Sequence, residues 1–227
     1  MGDTDARLRL ADSGITPCLT LDRLIELRGD RTTPDTVATL YGEVALPSTK
    51  DVLRRMQVGA SSVVLDFGCG SGRWMVAAHF AGAGAVVGVE YCADRAGVAR
   101  RVTEGIGLVH CGDGLAEACT AWGGGRGKGA QLRPTHAVSY NLASPPAIQE
   151  AFWRKVATER SVEWVAVWRK APEWATTPSG SQSSSSSASS SASSSASFLL
   201  VSTVRTITPA DESYPCYVYR RHAVQEI

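Results

Sequence analysis

The sequence lacks long apolar runs, cysteines at metal-binding spacing, and any marked excess of one charge sign. No apolar run approaches the roughly 20 residues that a membrane-spanning helix needs. The six cysteines form no C-x-x-C pair and no export signal precedes Arg9, so we expect no metal site and reduced thiols in a cytoplasmic or nuclear protein. A net charge of +1 argues against strong nucleic-acid binding by the chain itself.

What is present suits one globular domain. The chain has 227 residues, of which 44% are hydrophobic and 20% charged. The segment 179–197 is almost entirely serine and alanine, and it has no side chain able to bury apolar surface. We therefore predict a disordered insertion there, the alternative being a phosphorylation or partner-binding segment.

The spacing of apolar residues changes along the chain. Leucines and Ile25 at helical spacing predict a helical extension over residues 1–40, ahead of a domain over residues 41–227. From Val63 onward, short β-branched runs alternate with helical patterns, which is typical of βαβ crossovers and a parallel sheet. The predicted helices are Leu19–Leu27, Ser48–Met56 (with Ser48 as its N-cap), Ser71–Ala81, Ala93–Val102, Leu115–Trp122 and Pro146–Ala157. The predicted strands are Val63–Leu65, Ala85–Val89, Leu108–His110, His136–Tyr140, Val162–Trp168, Phe198–Ile207 and Tyr214–Tyr219.

The order of these elements predicts an α/β fold. Five parallel strands are followed by a β-hairpin, whereas a dinucleotide dehydrogenase would return its last strand through another helix. We expect a Rossmann-like class I methyltransferase fold: a seven-stranded, mostly parallel sheet ending in a β-hairpin, with helices on both faces.

A glycine loop directly follows the first strand. Asp66 ends the strand, and Gly68, Gly70 and Gly72 open the next helix. Glycines allow a sharp turn and close approach to a ligand, and the helix N-terminus favours a carboxylate. Asp66 can hold an ammonium group, so a ligand with an amino-acid tail, such as S-adenosyl-L-methionine, fits the loop.

Two further acids extend this pattern. Glu90 ends the second strand, where it can accept hydrogen bonds from ribose hydroxyls, and Asp113 follows the third strand, where it can accept from an adenine amino group. The competing ligand is NAD, whose pyrophosphate usually requires G-x-G-x-x-G. The order of loop and acids favours adenosylmethionine.

Asn141 ends the fourth strand, at the sheet edge where ligands bind in open α/β folds. Its side-chain amide could accept from, and so orient, a nucleophilic amine. The alternative is that Asn141 caps the helix that begins at Pro146.

These motifs together resemble the histone lysine methyltransferases that lack a SET domain, the disruptor-of-telomeric-silencing family. The likeness runs from Leu40 to Arg221 and implies a protein lysine, on a histone or nucleosome, as the methyl acceptor. The Tyr41-Gly42-Glu43 triplet resembles a family motif before the glycine strand, which places Tyr41 and Glu43 with the cofactor. The strand that carries Tyr217 resembles the family's tyrosine-bearing last strand, which makes Tyr217 a catalytic candidate beside Asn141.

Three functions therefore compete at this stage. The first is a protein lysine methyltransferase with a histone or other protein as its partner. The second is a methyltransferase of the same fold that acts on RNA or a small molecule. The third is an inactive module that binds adenosylmethionine without catalysis.

Overall fold

A computed structural model of the chain describes residues 44–116, 119–123, 132–142, 144–176, 197–208 and 212–222. The strands form one seven-stranded sheet in the order β3-β2-β1-β4-β5-β7-β6. Strands β1 to β5 are parallel to one another, and β7 runs antiparallel to both β5 and β6. The strands are β1 Val63–Phe67, β2 Ala85–Glu90, β3 Gly107–Cys111, β4 His136–Ser139, β5 Trp164–Val167, β6 Phe198–Ile207 and β7 Ser213–Arg221.

Helices cover both faces of this sheet, as predicted. The core on one face contains Met56, Met75 and Trp168 and involves α1 and α2, whereas the core on the other face contains Phe152 and Trp153 of α4. The α-helices are α1 Leu46–Arg55, α2 Arg73–Phe80, α3 Ala93–Val102, α4 Pro146–Thr158 and α5 Glu173–Thr176. The predicted fold class is confirmed. No helix among the described residues is long and apolar enough to cross a membrane.

The start of α1 differs from the prediction that Ser48 caps it. The helix begins at Leu46 with Pro47 in its first turn, where a missing N–H costs nothing. Ser48 lies inside the helix, and its Oγ accepts the Ile207 N–H at 2.9 Å. The serine therefore joins α1 to the edge strand β6.

The predicted helix Leu115–Trp122 is wrong. A turn follows β3, and the described residues after it form a single 3₁₀ turn, Thr120–Trp122. The Trp122 indole N–H donates to the Gly114 carbonyl oxygen at 2.8 Å, so the segment folds back on itself. A side chain on Gly114 would come within 2.7 Å of Phe67 and Val89, which explains the glycine.

Several predicted features lie outside the described residues: the extension 1–40, Tyr41 and Glu43, and most of the Ser/Ala-rich segment. The last residue of that segment is an exception. Ser197 is buried, and its carbonyl oxygen accepts the His222 N–H at 2.8 Å, so the chain is already anchored one residue before β6.

Candidate functional site

The loop between β1 and α2 turns through left-handed backbone at Gly68, Gly70 and Gly72, whose φ angles are 84°, 54° and 87°. Other residues rarely adopt these angles, so the turn requires the glycines. The N–H groups of Gly68 and Cys69 both donate to the Val89 carbonyl oxygen at 2.9 Å, and Gly72 donates to Cys69 at 2.8 Å. The loop is thus held against the end of β2.

Glu90 ends β2 as a buried acid whose two carboxylate oxygens have different surroundings. Oε2 accepts the Gly70 N–H at 2.9 Å. Oε1 accepts the Cys92 N–H at 2.8 Å and two Arg95 donors, Nη2 at 2.8 Å and Nε at 3.1 Å. A carboxylate oxygen offers about two lone pairs, so Oε1 is fully used and Oε2 can accept one more donor. A ribose hydroxyl is the donor that the sequence predicts.

The carboxylates of Asp66 and Glu90 both lie close enough to Cys69, in the glycine loop, to act on its thiol. Burial raises the pKa of the Cys69 thiol well above its ordinary value, and the charges of Asp66 and Glu90 raise it further, with Arg95 opposing them. Asp66 and Glu90 are themselves buried. Buried carboxylates beside this loop favour a cationic group of a ligand and disfavour an anionic one.

Asp113 lies at the neighbouring strand end. The Gly112 N–H donates to the Glu90 carbonyl oxygen at 2.9 Å, which fixes the turn after β3 beside the tip of β2. Asp113 itself is exposed, and its Oδ1 accepts the Leu115 N–H at 2.8 Å. The structure therefore places Asp113, which we predicted to bind the adenine, at the same end of the sheet as Glu90.

Asn141 joins the ends of β4 and β5. Its Oδ1 accepts the Trp168 N–H at 2.8 Å and the Arg169 N–H at 3.1 Å. Backbone donors thus occupy both lone pairs of the oxygen that we expected to accept from a substrate amine, and the catalytic role of Asn141 stays a prediction. The capping alternative is wrong, because α4 has Pro145 at its N-cap and no side-chain cap. The Nδ2 group of Asn141 is buried without a hydrogen-bond partner.

An aromatic cluster of Trp74, Tyr140 and Trp168 adjoins Asn141, which follows Tyr140 in the chain and accepts the Trp168 backbone N–H. The Trp168 ring meets Trp74 edge-on at 5.6 Å between ring centroids and Tyr140 at 5.0 Å. Trp168 is fixed by its indole N–H, which donates to Thr206 Oγ1 at 2.7 Å. Trp74 is buried at the first turn of α2, next to the glycine loop, and its Nε1 has no hydrogen-bond partner.

Tyr217 lies on the other face of the sheet. It is paired with Val167 across β5 and β7, and its ring packs against the core that contains Trp153. The Lys170 ammonium lies 6.0 Å from the ring centroid. The structure therefore separates the Tyr217 ring from the aromatic cluster that contains Tyr140, and its catalytic role stays a prediction.

Sequence reasoning missed two arginines at this edge. Arg95 lies five residues after Glu90 in the first turn of α3, a spacing that could have indicated the ion pair. Arg169 donates through its side chain to the Leu142 carbonyl oxygen and so ties the loop after Asn141 to the end of β5. Nothing in the local sequence pattern predicts this second contact.

Comparison with known proteins gives structural neighbours only. No protein-family model matches the chain. No curated protein matches it in sequence. The RNA methyltransferase from Salinibacter ruber, solved with S-adenosyl-L-homocysteine, superposes with a TM-score of 0.51 at 16% identity, over 82% of this chain and 97% of that chain.

Two further structures are similar. A proposed RNA methyltransferase from Pyrococcus horikoshii gives a TM-score of 0.52 at 14% identity, over 89% of this chain and 99% of that chain. The 23S rRNA methyltransferase ErmE gives 0.52 at 12% identity, over 81% and 70%. At these identities the likeness shows a shared fold, and this chain has the Rossmann-like fold of class I methyltransferases.

Proposed function

We propose that the chain is an S-adenosyl-L-methionine-dependent methyltransferase. The observation that carries the proposal is the pair of buried carboxylates, Asp66 and Glu90, beneath a loop of left-handed glycines. The cofactor has an ammonium group and a sulfonium centre, and both positive charges suit a site beside these two carboxylates. The bound S-adenosyl-L-homocysteine of the Salinibacter ruber neighbour supports the same choice of cofactor.

The loop geometry argues against the competing ligand, NAD. A pyrophosphate is held by backbone N–H groups that point at it. Here the N–H groups of Gly68, Cys69, Gly70 and Gly72 all donate to acceptors within the protein. An anionic pyrophosphate would lie near two carboxylates and would find these four N–H groups already engaged, so adenosylmethionine fits these residues better.

The residues of the site have separate tasks in this reaction. The cofactor supplies an electrophilic methyl: a lone pair on the acceptor forms the new bond as the carbon–sulfur bond breaks, its electrons stay on sulfur, and the acceptor's proton goes to solvent. Glu90 and Asp113 would hold the nucleoside, and Asp66 the ammonium. Asn141 and the aromatic cluster would orient the acceptor and exclude water, because alignment supplies most of the catalysis in such a displacement.

We propose RNA, methylated on a nucleobase, as the substrate. Two proteins of similar fold, the RNA methyltransferase from Salinibacter ruber and the 23S rRNA methyltransferase ErmE, support this class. The site supports it as well, since aromatic side chains stack on bases and half-buried Tyr140 is the member of the cluster with accessible surface.

The protein lysine predicted from the family resemblance has less support. Orienting a lysine amine requires an acceptor, and the one amide oxygen at Asn141 is occupied by Trp168 and Arg169. The Tyr41-Gly42-Glu43 triplet, on which that resemblance depends, lies outside the described residues. The experiment that tests the proposal therefore also measures methyl transfer to histones and nucleosomes.

The test is methyl transfer from tritiated cofactor to separate pools of RNA, histones, nucleosomes and small metabolites. We expect label in the RNA pool and none with Asp66→Ala, which keeps the loop glycines but removes one carboxylate. Label in histones would replace RNA by protein lysine. Cofactor binding by calorimetry without transfer to any pool would identify a binding module, and absence of binding would contradict the proposal itself.

A further inference from the structure

The hairpin of β6 and β7 extends beyond the end of the strand next to it. β5 ends at Val167, which is paired with Tyr217, whereas β6 and β7 stay paired for four more residue pairs, as far as Ile207 and Ser213. At about 3.4 Å per residue, this part of the hairpin projects roughly 13 Å past β5. It projects at the end of the sheet that carries the candidate site, because β1, β2, β4 and β5 all run in that direction.

One face of the projecting part is covered by the domain. Val204 and Tyr214 pack against the core that involves α1, and the Trp168 indole N–H donates to Thr206 Oγ1 at 2.7 Å. The backbone of Ile207 is bonded to the start of α1 through both its N–H and its carbonyl oxygen. The hairpin is therefore held in place beside the aromatic cluster of the candidate site.

The opposite face of the projecting part is exposed. Side chains alternate across a strand, so the register of the hairpin determines which residues share this face. They are Thr203, Arg205 and Ile207 of β6 with Pro215 and Tyr217 of β7. Tyr217 is half-buried and the other four are exposed. Arg205 and Tyr217 are diagonal neighbours across the two strands, a separation that long side chains can bridge.

This exposed face is positively charged. Neither strand contains an acidic residue. Arg205 is joined there by Lys170, an exposed residue after β5 whose ammonium lies 6.0 Å from the centroid of the Tyr217 ring. The acid that precedes β7, Glu212, accepts the hydroxyl of Tyr214 at 2.8 Å, and Tyr214 belongs to the covered face. The exposed face therefore suits an anionic chain.

We propose that this face of the hairpin binds the RNA strand next to the methylated nucleotide. Arg205 and Lys170 bind its phosphates, and Tyr217 contacts a sugar or base between them. The inference rests on the proposed function. Guanidinium and ammonium groups bind phosphate, and aromatic rings pack against the bases of single-stranded RNA. The chain has a net charge of only +1, so its attraction for RNA must come from local cations such as these.

The test is the binding of a fluorescent single-stranded RNA of mixed sequence, measured by anisotropy over a series of salt concentrations. In Arg205→Ala and in Lys170→Ala we expect the Kd for RNA to rise by about 3- to 10-fold. The slope of log K against log salt concentration should become shallower by about 0.7 for each phosphate contact that is lost. Arg205→Lys keeps the charge, so it should retain most of the affinity and the wild-type slope.

Arg100→Ala is the matched control. Arg100 is also exposed, but it lies in α3 beside β3, at the other edge of the sheet, where its Nε donates to the Val109 carbonyl oxygen at 3.3 Å. Its substitution should change neither the RNA affinity nor the salt slope. All variants should melt like the wild type and bind cofactor within about twofold of it, because a lost phosphate contact affects RNA alone.

The outcomes distinguish this inference from the proposed function. If the wild type methylates RNA, and Arg205→Glu and Lys170→Ala bind it as well as the wild type, the inference is overturned and the proposed function stands. Equal losses in Arg205→Lys and Arg205→Ala would also overturn it, because charge would not be the cause. So would a dimer that Arg205→Glu dissociates without changing RNA affinity, since the face would then bind a second copy. RNA without label in the wild type would overturn the proposed function, and the inference with it.

Discussion

A single carboxylate at the site has both a structural and a binding task. Glu90 Oε2 fixes the glycine loop through Gly70, and Oε1 neutralises Arg95. A purely structural acid would be saturated by such contacts, whereas Glu90 keeps acceptor capacity on the oxygen that faces the loop. The position of Glu90 at the end of β2 could be predicted from the sequence, but the sharing of its side chain between the loop and a ligand could not.

Substitution Glu90→Ala should therefore have two effects. Cofactor affinity should fall by about 1–3 kcal/mol, because hydrogen bonds to a charged group are lost. The free energy of unfolding should also fall, by about 1–3 kcal/mol, because Arg95 and the Gly70 N–H lose their hydrogen bonds to the carboxylate. Calorimetry and urea unfolding measure the two separately.

Asp51→Ala is the control for this substitution. Asp51 is an exposed acid in α1 whose ion pair with Arg54 is solvated, so neither quantity should change by more than about 0.5 kcal/mol. Unaltered cofactor binding by Glu90→Ala would show that the acid serves the fold alone.

At the scale of elements, prediction succeeded where local pattern and tertiary contacts agree. Helix α3 has the predicted bounds, Ala93–Val102, and α4 begins at the predicted Pro146. It failed where a distant contact decides: Ser48 binds Ile207 rather than capping α1, and Trp122 closes a turn on Gly114. Neither contact joins residues three or four positions apart, as contacts along a helix do, so no local pattern could have predicted these contacts.

The residues of the candidate site also divide into those that the local sequence predicts and those that depend on distant contacts. The glycines, Asp66 and Glu90 were predictable because strand ends and turns have local signatures. The atom that Asn141 presents was not, because its orientation depends on backbone donors of Trp168 and Arg169, 27 and 28 residues further along. Tyr217 could not be assigned to a face of the sheet without the register between β5 and β7.

The contact between β4 and α1 should make stability depend on pH. His136 lies buried in β4, with Nε2 3.0 Å from the Met56 carbonyl oxygen and Nδ1 2.7 Å from Thr135 Oγ1. Burial lowers the pKa of His136 below its ordinary value of 6.5, although the Met56 contact and Glu163 oppose this. The unfolded chain therefore binds a proton near pH 6.5 that the folded chain resists, so stability is full above that pH and falls below it.

The measurement is the free energy of unfolding in urea at pH 7.5, 6.5 and 5.5. For the wild type we expect a loss of at most about 1.4 kcal/mol per pH unit below pH 6.5 from this histidine, and a smaller slope for His136→Gln. Equal slopes in the two proteins would exclude His136 as the source.

At the scale of the whole molecule, the sheet has one edge that serves ligands and a separate anchor for the end of the chain. The carboxyl ends of β1, β2 and β4 carry the glycine loop, Glu90 and Asn141. The return of the chain into β6 depends on other contacts: Phe198 is fully buried, its ring lies 5.7 Å from Trp153, and the Arg221 guanidinium lies 4.7 Å from it. These contacts involve no residue of the Ser/Ala-rich segment before Ser197.

Deletion of Ser183 to Ser195 should therefore leave the protein folded and able to bind cofactor. The deletion shortens the connection between α5 and β6 to about a third, and loop-closure entropy then stabilises the fold by no more than about 1 kcal/mol. We expect a melting temperature equal to or slightly above that of the wild type, with unchanged cofactor affinity. The contrasting variant is Phe198→Ala, which removes the anchor and should cost about 3–5 kcal/mol through the cavity it leaves. If the deletion instead lowers the melting temperature as much as Phe198→Ala does, the segment packs against the domain and contributes to its core.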